Sequence, residues 1–175
     1  DLLFGSDWKA EFDFFEACFR KHCPRKVSRI FEPACGTGRL LIKLANAGYS
    51  VGGNDLNPKA IGYCNDRFAR FHHDRTAFVG DMSDFKLKHK VDATFNTINS
   101  FRHQPTESAA GAHLQCMGRI LRKGGIFILG IHLEPTEGAR IEDEGWTARK
   151  GHLMIKSYMW SKGVDKRRRM EMLGM

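Results

Sequence analysis

The sequence predicts an α/β fold, a doubly wound and mostly parallel sheet with helices on both faces. Three observations carry that expectation. A short apolar strand, Val27 to Phe31, runs into Glu32-Pro33-Ala34-Cys35-Gly36-Thr37-Gly38-Arg39, after which Leu40, Leu41, Leu44 and Ala45 recur at helical spacing. Two further strands end on an acidic residue where they meet their loops, at Asp55 and at Asp81. Segments of helical periodicity separate the strands, and that alternation winds a parallel sheet.

In chain order, Asp7 to His22 reads as the first helix, with Trp8, Phe12, Phe15 and Phe19 on one face. Such a stripe is first a core face. Pro24 ends this region. The Gly-x-Gly turn after the first strand lets the backbone approach a ligand and turns N–H groups outward at a helix N-terminus, so a nucleotide-like cofactor is expected there unless the turn is only structural. Tyr49 to Asp55 forms the second strand and sets a carboxylate about 20 residues downstream, where dinucleotide-type folds hold a ribose. Asp55 and Asp81, each taken singly, also read as turn or helix caps.

Asn57-Pro58 opens the next helix, Asn as N-cap and Pro at the first helical position. Ile61, Cys64, Phe68 and Phe71 share one side of it. His72-His73-Asp74 closes it, and adjacent residues on a helix point apart, so solvation of the helix end accounts for them better than a metal does. Thr76 to Val79 is the third strand, leading into Gly80-Asp81-Met82, and Val91 to Ile98 is the fourth. Thr106 to Arg122 is amphipathic with Ala110, His113, Leu114, Met117, Ile120 and Leu121 inward, stopped by a basic last turn and Gly124-Gly125. Ile126 to Leu133 is almost continuously apolar, as central parallel strands are. After Glu134-Pro135, Gly145 to Gly151 and His152 to Trp160 read as two strands joined by a turn.

Composition narrows the class. With 175 residues, 42% hydrophobic and 27% charged, the chain is that of a soluble globular protein with room for a core. No apolar run approaches the ~20 residues of a membrane span, and no signal peptide is seen. The five cysteines, Cys18, Cys23, Cys35, Cys64 and Cys116, are odd in number and never form Cys-x-x-Cys. They argue against a disulfide scaffold or zinc ribbon and for a reducing cytoplasm. The net charge of +8 owes much to Lys162 to Arg169, where Lys166-Arg167-Arg168-Arg169 form one run. That run reads first as a solvated strand or tail face, and second as a patch for phosphates.

The combination from about Val27 to His132 resembles the class I S-adenosylmethionine-dependent methyltransferases. Its best pieces are Glu32 to Arg39, Asn54-Asp55-Leu56-Asn57 and Gly80-Asp81-Met82. Leu121-Arg122-Lys123-Gly124-Gly125-Ile126-Phe127-Ile128 is similar to the turn before the family's fifth strand. Asn96-Thr97-Ile98-Asn99-Ser100-Phe101-Arg102-His103 is similar to the loop after the fourth strand in a small-molecule subgroup.

The resemblance implies a Rossmann-like sheet, S-adenosyl-L-methionine as cofactor, and methyl transfer to a small-molecule acceptor. It implies Glu32 and the backbone of Ala34, Cys35, Gly36 and Gly38 at the methionine end. Asp55 would accept the ribose hydroxyls with Leu56 against the adenine, and Asp81 the adenine amino group with Met82 on the ring. Asn96 and Thr97 would face the methionine moiety, with Phe4 or Trp8 capping the cofactor and Trp8, Asn99 and Arg102 on the substrate side. The cofactor supplies the electrophile, so no fixed catalytic group is required. His103 is the residue named if a base is used, with a structural loop histidine the alternative. No metal is expected.

The family's sheet has seven strands, of which five are placed here, so the C-terminal strands are expected to be missing. Residues 1–135 are then a cofactor-binding domain with its N-terminal helix, and 136–175 a β-rich insertion on the substrate side. The acceptor is narrowed by absences: neither an Asn/Asp-Pro-Pro-aromatic motif nor a Pro-Cys follows the fourth strand. Glu134, Glu137, Glu142 and Glu144 lack the context of an arginine methyltransferase hairpin. Open alternatives are an RNA or protein methyltransferase using the basic segment, and a non-catalytic cofactor-binding module. An NAD(P) oxidoreductase fits worse, since Leu41 stands where the third glycine of its fingerprint belongs. The chain is expected to be cytoplasmic, a monomer or homodimer, without a membrane partner.

Overall fold

The computed structural model describes residues 8–131, 143–168 and 170–175. The elements form two units, one built from α1 through β5 and the other from β6 through β8. The expectations for Phe4, Glu134, Glu137, Glu142 and Arg169 lie outside the described residues.

In the first unit the chain runs α1 (Trp8–His22), β1 (Arg29–Pro33), α2 (Leu41–Asn46), β2 (Ser50–Asp55), α3 (Pro58–Arg70), β3 (Ala77–Val79), β4 (Val91–Asn96), α4 (Glu107–Ile120) and β5 (Leu121–Leu129). Its sheet has the order β3-β2-β1-β4-β5, every pair parallel. Successive residues of a strand face opposite sides, and Ile30 and Phe31 show it. Ile30 packs with Phe15, Leu41, Leu44, Phe68 and Phe95, whereas Phe31 packs with Met117 and Ile120 of α4. Burying Phe15, Phe68 and Phe95, all essentially inaccessible, stabilises the unit by about 1.5–3 kcal/mol each. The order of connections reverses between β1 and β4, the switch point where open α/β sheets hold ligands at their carboxyl ends.

Asn57 caps α3 as expected, its side chain accepting from the N–H groups of Lys59 and Ala60. Other local expectations are corrected. β4 ends at Asn96, and Ile98 and Asn99 take left-handed backbone (φ 57 and 61). α4 stops at Ile120: Leu121 already pairs with Val91, the chain bulges through Gly124 (φ 83), and Ile126 rejoins opposite Ala93. Pro24 Cγ lies 2.9 Å from where a Cβ on Gly124 would be, so the bulge needs glycine for space as well as for φ. β5 is an edge strand of the described sheet, and its apolar residues are half-buried rather than central. Phe71, beyond the last turn of α3, is 53% exposed. Leu114 is 47% exposed because the buried stripe of α4 runs through His113, Cys116, Met117 and Ile120.

The second unit is an antiparallel sheet of β6 (Asp143–Lys150), β7 (Leu153–Asp165) and β8 (Met170–Gly174). Gly151, at φ 58, makes the first turn. The second carries Lys166, Arg167 and Arg168, and Asp165 Oδ1 accepts from the backbone N–H of Arg167 and of Arg168 at 3.0 Å each. Lys166, Arg167 and Arg168 of the basic run thus lie on an exposed turn rather than a strand face. Among the described residues no helix is long and apolar enough to cross a membrane.

Candidate functional site

Parallel pairing in register brings the carboxyl ends of β1, β2, β3 and β4 to one edge of the sheet. The turn after β1 alternates left-handed backbone at Ala34 (φ 53), Gly36 (φ 53) and Gly38 (φ 68). A Cβ on Gly38 would overlap Cys64 Sγ, and one on Gly53 would lie 2.8 Å from Cys35 Sγ. The Cys35 and Cys64 thiols therefore fill the space beneath the turn. The hydrogen bond to Cys64, reinforced by burial, pushes the Cys35 thiol far above its ordinary range and keeps it protonated.

Three N–H groups of the turn are used within the protein. Cys35 donates to the Asn54 carbonyl (2.9 Å), Gly36 to Asp55 Oδ2 (2.9 Å) and Gly38 to the Cys35 carbonyl (2.9 Å). They are not the outward donors expected from the sequence, and α2, at six residues, begins only at Leu41. What the glycines provide is close approach of the backbone.

Asp55 ties the turn to α3. Its Oδ2 accepts from Gly36 and its Oδ1 from the Asn57 N–H at 2.8 Å. A carboxylate has about four lone-pair sites, so one per oxygen is left for a ligand, fewer than a free side chain would offer. Leu56 beside it is 70% exposed. Asp81 Oδ1 accepts from the Ser83 hydroxyl (2.6 Å) and N–H (2.7 Å), bonds that hold the Asp81 carboxyl below its ordinary range and keep it charged. Asn96 is buried, and its Nδ2 donates to the Pro33 carbonyl (3.2 Å) and lies 3.7 Å from Met82 Sδ. Thr97 follows, half-exposed.

These groups, from the glycine turn to Asn96, form one contiguous edge. The remaining candidates sit differently. Trp8 is half-buried, its ring 4.3 Å from Lys43 Nζ and edge-on to Phe12, which makes it a packing residue of α1 on α2. Asn99 starts a 3-10 turn, Ser100–His103, that ends with Arg102 and His103 exposed.

The sequence reading missed four residues here. Arg39 Nη2 donates to both carboxylate oxygens of Glu11, at 2.7 and 2.8 Å. Its Nη1 is buried without a hydrogen-bond partner among the described residues, and so is Glu32 Oε2, although Glu32 as a residue is only half-buried. Burial pushes the Glu32 carboxyl well above its ordinary range against the opposing pull of the Arg39 guanidinium. Asn54 and His113, also buried, hold the loop after β3 and leave Asn54 Oδ1 and His113 Nε2 unpaired among the described residues. Arg39 could have been suspected from its place directly after the glycines, but nothing local marks Glu11 or His113.

Comparison with known proteins follows the same outline. The family described as a methyltransferase domain matches residues 30–125. The dTDP-3-amino-3,4,6-trideoxy-alpha-D-glucopyranose N,N-dimethyltransferase of Streptomyces venezuelae is 26% identical over 82% of this chain and 57% of its own. This chain spans about half the length of the curated relatives it matches. Streptomyces venezuelae DesVI has the same fold at a TM-score of 0.78, with 24% identity over 91% of this chain and 66% of that one. So does CalS10 with SAM bound, an amino pentose methyltransferase from Micromonospora echinaspora, at a TM-score of 0.71 and 21% identity over 97% of this chain and 75% of that one.

Proposed function

The chain belongs to the class I methyltransferase-domain family, and from that premise we propose that it binds S-adenosylmethionine and methylates a small-molecule acceptor. The observation that carries the reading is the pair of buried atoms of opposite character beside the glycine turn, Glu32 Oε2 and Arg39 Nη1, both unpartnered among the described residues. An α-amino-acid end carries one ammonium and one carboxylate, the two groups these atoms can satisfy, and unpaired buried groups gain most from such partners. The residues present therefore fit the cofactor. Asp55 keeps lone pairs for a ribose diol, and Asp81, charged, accepts from an exocyclic amine beside Met82. When bound, the sulfonium supplies the electrophilic methyl group. The protein's part is to orient the acceptor and exclude water, with His103 the candidate base and Arg102 and Asn99 beside it.

The acceptor class is supported by the relatives, whose names place their action on dTDP-amino sugars, so an amine nitrogen of an amino sugar is the first acceptor to offer. A reducing, cytoplasmic setting is supported by five free cysteines.

Calorimetric titration with S-adenosylmethionine, S-adenosylhomocysteine and NAD(P)H tests the cofactor. Binding of the first two alone is expected, and binding of NAD(P)H alone would overturn the reading. Methyl transfer is then followed on amino-sugar and RNA pools. Tight cofactor binding without transfer to any acceptor points to a binding module. Transfer to RNA that is lost on neutralising Lys166, Arg167 and Arg168 points to a nucleic-acid acceptor.

Glu32 gives the binding a pH signature. Its carboxyl holds a proton in the free protein above the ordinary value of 4.5, and an ammonium binds the ionised form. Raising the pH removes the competing proton, so affinity for S-adenosylhomocysteine rises with pH across that window. The free protein is expected to follow the opposite trend: folded Glu32, its pKa raised by burial, binds more protons than unfolded, so stability should fall as pH rises through the same window. Glu32→Gln is expected to flatten both slopes and weaken binding about tenfold or more. A pH-dependent affinity surviving in Glu32→Gln would assign the ammonium to another group.

A further inference from the structure

The short loop after β3, Gly80 to Met82, is gripped from below by three buried polar side chains on three different elements. Asn54 at the end of β2 donates its Nδ2 to the Asp81 carbonyl (3.1 Å), and Asn96 at the end of β4 brings its Nδ2 to Met82 Sδ (3.7 Å). His113, on α4, meets the Met82 carbonyl with Nδ1 at 2.9 Å. All three are at most 1% exposed. Each directs its donor at the loop and leaves an acceptor, Asn54 Oδ1, Asn96 Oδ1 or His113 Nε2, buried and unpartnered among the described residues. Buried polar groups are normally satisfied, so three half-satisfied ones around one loop mark a device kept at a cost.

His113 is the most telling of the three, because it occupies a stripe position on α4 between apolar neighbours where leucine would pack without a polar atom to satisfy. A carbonyl can only accept, so Nδ1 carries the hydrogen and Nε2 is a bare acceptor in a neutral ring. Phe101 and Phe127 wall the ring at centroid distances of 5.6 and 5.7 Å. Asp81 is the charged group that acts on it, and burial outweighs that attraction and holds the imidazole below its ordinary range, hence neutral.

We propose that His113 is a positioning residue for cofactor recognition: its Nδ1–H fixes the Met82 carbonyl and so sets the backbone that presents Asp81 and Met82 to a purine-like base. The proposal rests on the reading of Asp81 and Met82 as the nucleoside end of the site. It accounts for a histidine in an apolar stripe, for the choice of tautomer, and for a loop whose carbonyls are tied inward while the Asp81 carboxylate stays exposed.

Two substitutions separate positioning from packing. His113→Leu fills the stripe without a donor, and His113→Asn carries its amide nitrogen where the imidazole carries Nδ1. The readouts are thermal melting, amide hydrogen exchange at Gly80, Ser83 and Asp84, and S-adenosylhomocysteine affinity by calorimetry. In His113→Leu the melting temperature is expected to hold or rise, while loop exchange accelerates and affinity falls, each about tenfold. In His113→Asn exchange and affinity are expected within about threefold of the parent protein. A leucine variant with parental exchange and affinity would reduce His113 to packing and overturn the proposal. If leucine also lowers the melting temperature, the asparagine variant decides, and its failure to restore exchange overturns the proposal. A parent protein that binds no S-adenosylhomocysteine would instead refute the cofactor reading, and the exchange rates of the two variants would still decide whether His113 holds the loop.

Discussion

Replacing Gly38 by alanine is expected to abolish cofactor binding and to destabilise the α1–β5 unit by about 2–5 kcal/mol, the sum of backbone strain and overpacking. Gly38 sits at φ +68, and the added methyl would overlap Cys64 Sγ. Cys64 is itself buried in the main core among Leu41, Ile61 and Phe68, so it has nowhere to retreat. Gly36 is the control. Its φ of +53 is similar, but beyond its chain neighbours no atom of the described residues lies within 4 Å of its would-be Cβ, so Gly36→Ala should cost only the strain, about 1–2 kcal/mol. Urea unfolding and S-adenosylhomocysteine titration of both variants check the difference. In a Cys64→Ala background the overpacking part of the Gly38→Ala cost should disappear, which a double-mutant cycle measures. If Gly38→Ala proves no worse than Gly36→Ala, the close packing of the turn on α3 is not what holds it.

The second large effect is at Asp55. Asp55→Ala should weaken cofactor binding by more than tenfold, through lost hydrogen bonds worth about 1.5–3 kcal/mol in total. Stability should fall as well, because the carboxylate joins the Gly36 N–H to the Asn57 N–H and so pins the glycine turn to the cap of α3. Asp55→Asn separates the two roles. It keeps one acceptor oxygen but must turn an NH2 toward a backbone N–H, so the tether weakens less than in alanine while recognition of a diol still suffers. Calorimetry and urea unfolding of the pair read both quantities. Loss of stability with unchanged affinity would leave Asp55 as a tether alone.

Much of this was legible in the chain because local chemistry decides it within a few residues. Left-handed backbone at Gly36 and Gly38, an Asn N-cap with Pro at the first helical position of α3, and apolar strands ending in Asp55 and before Asp81 each follow from residue type and near neighbours. The family resemblance rests on those same short segments and is matched over residues 30–125. The misreadings share one cause. Ile126 to Leu133 reads as a central strand from its hydrophobicity, yet β5, which ends at Leu129, lies at the edge of the described sheet, because strand order is set by pairing with β4. Leu114 reads as inward from its spacing, yet packing against Phe31 and Phe85 selects Cys116 instead.

The residues missed at the site are those whose meaning lies in a distant partner. Glu11 meets Arg39 across 28 positions, and His113 meets Met82 across 31. By itself, then, the sequence determined the parallel α/β class, the glycine turn, the acidic strand ends and the family, all features written in runs of about ten residues. Only the tertiary structure decided which turn amides are already bonded, that Asp55 is half-committed to holding the turn, and that Glu32 Oε2, Arg39 Nη1 and His113 Nε2 are left without partners among the described residues. The reason is physical: a residue's type states which bonds it is able to make, but whether a bond remains unmade depends on everything packed around it.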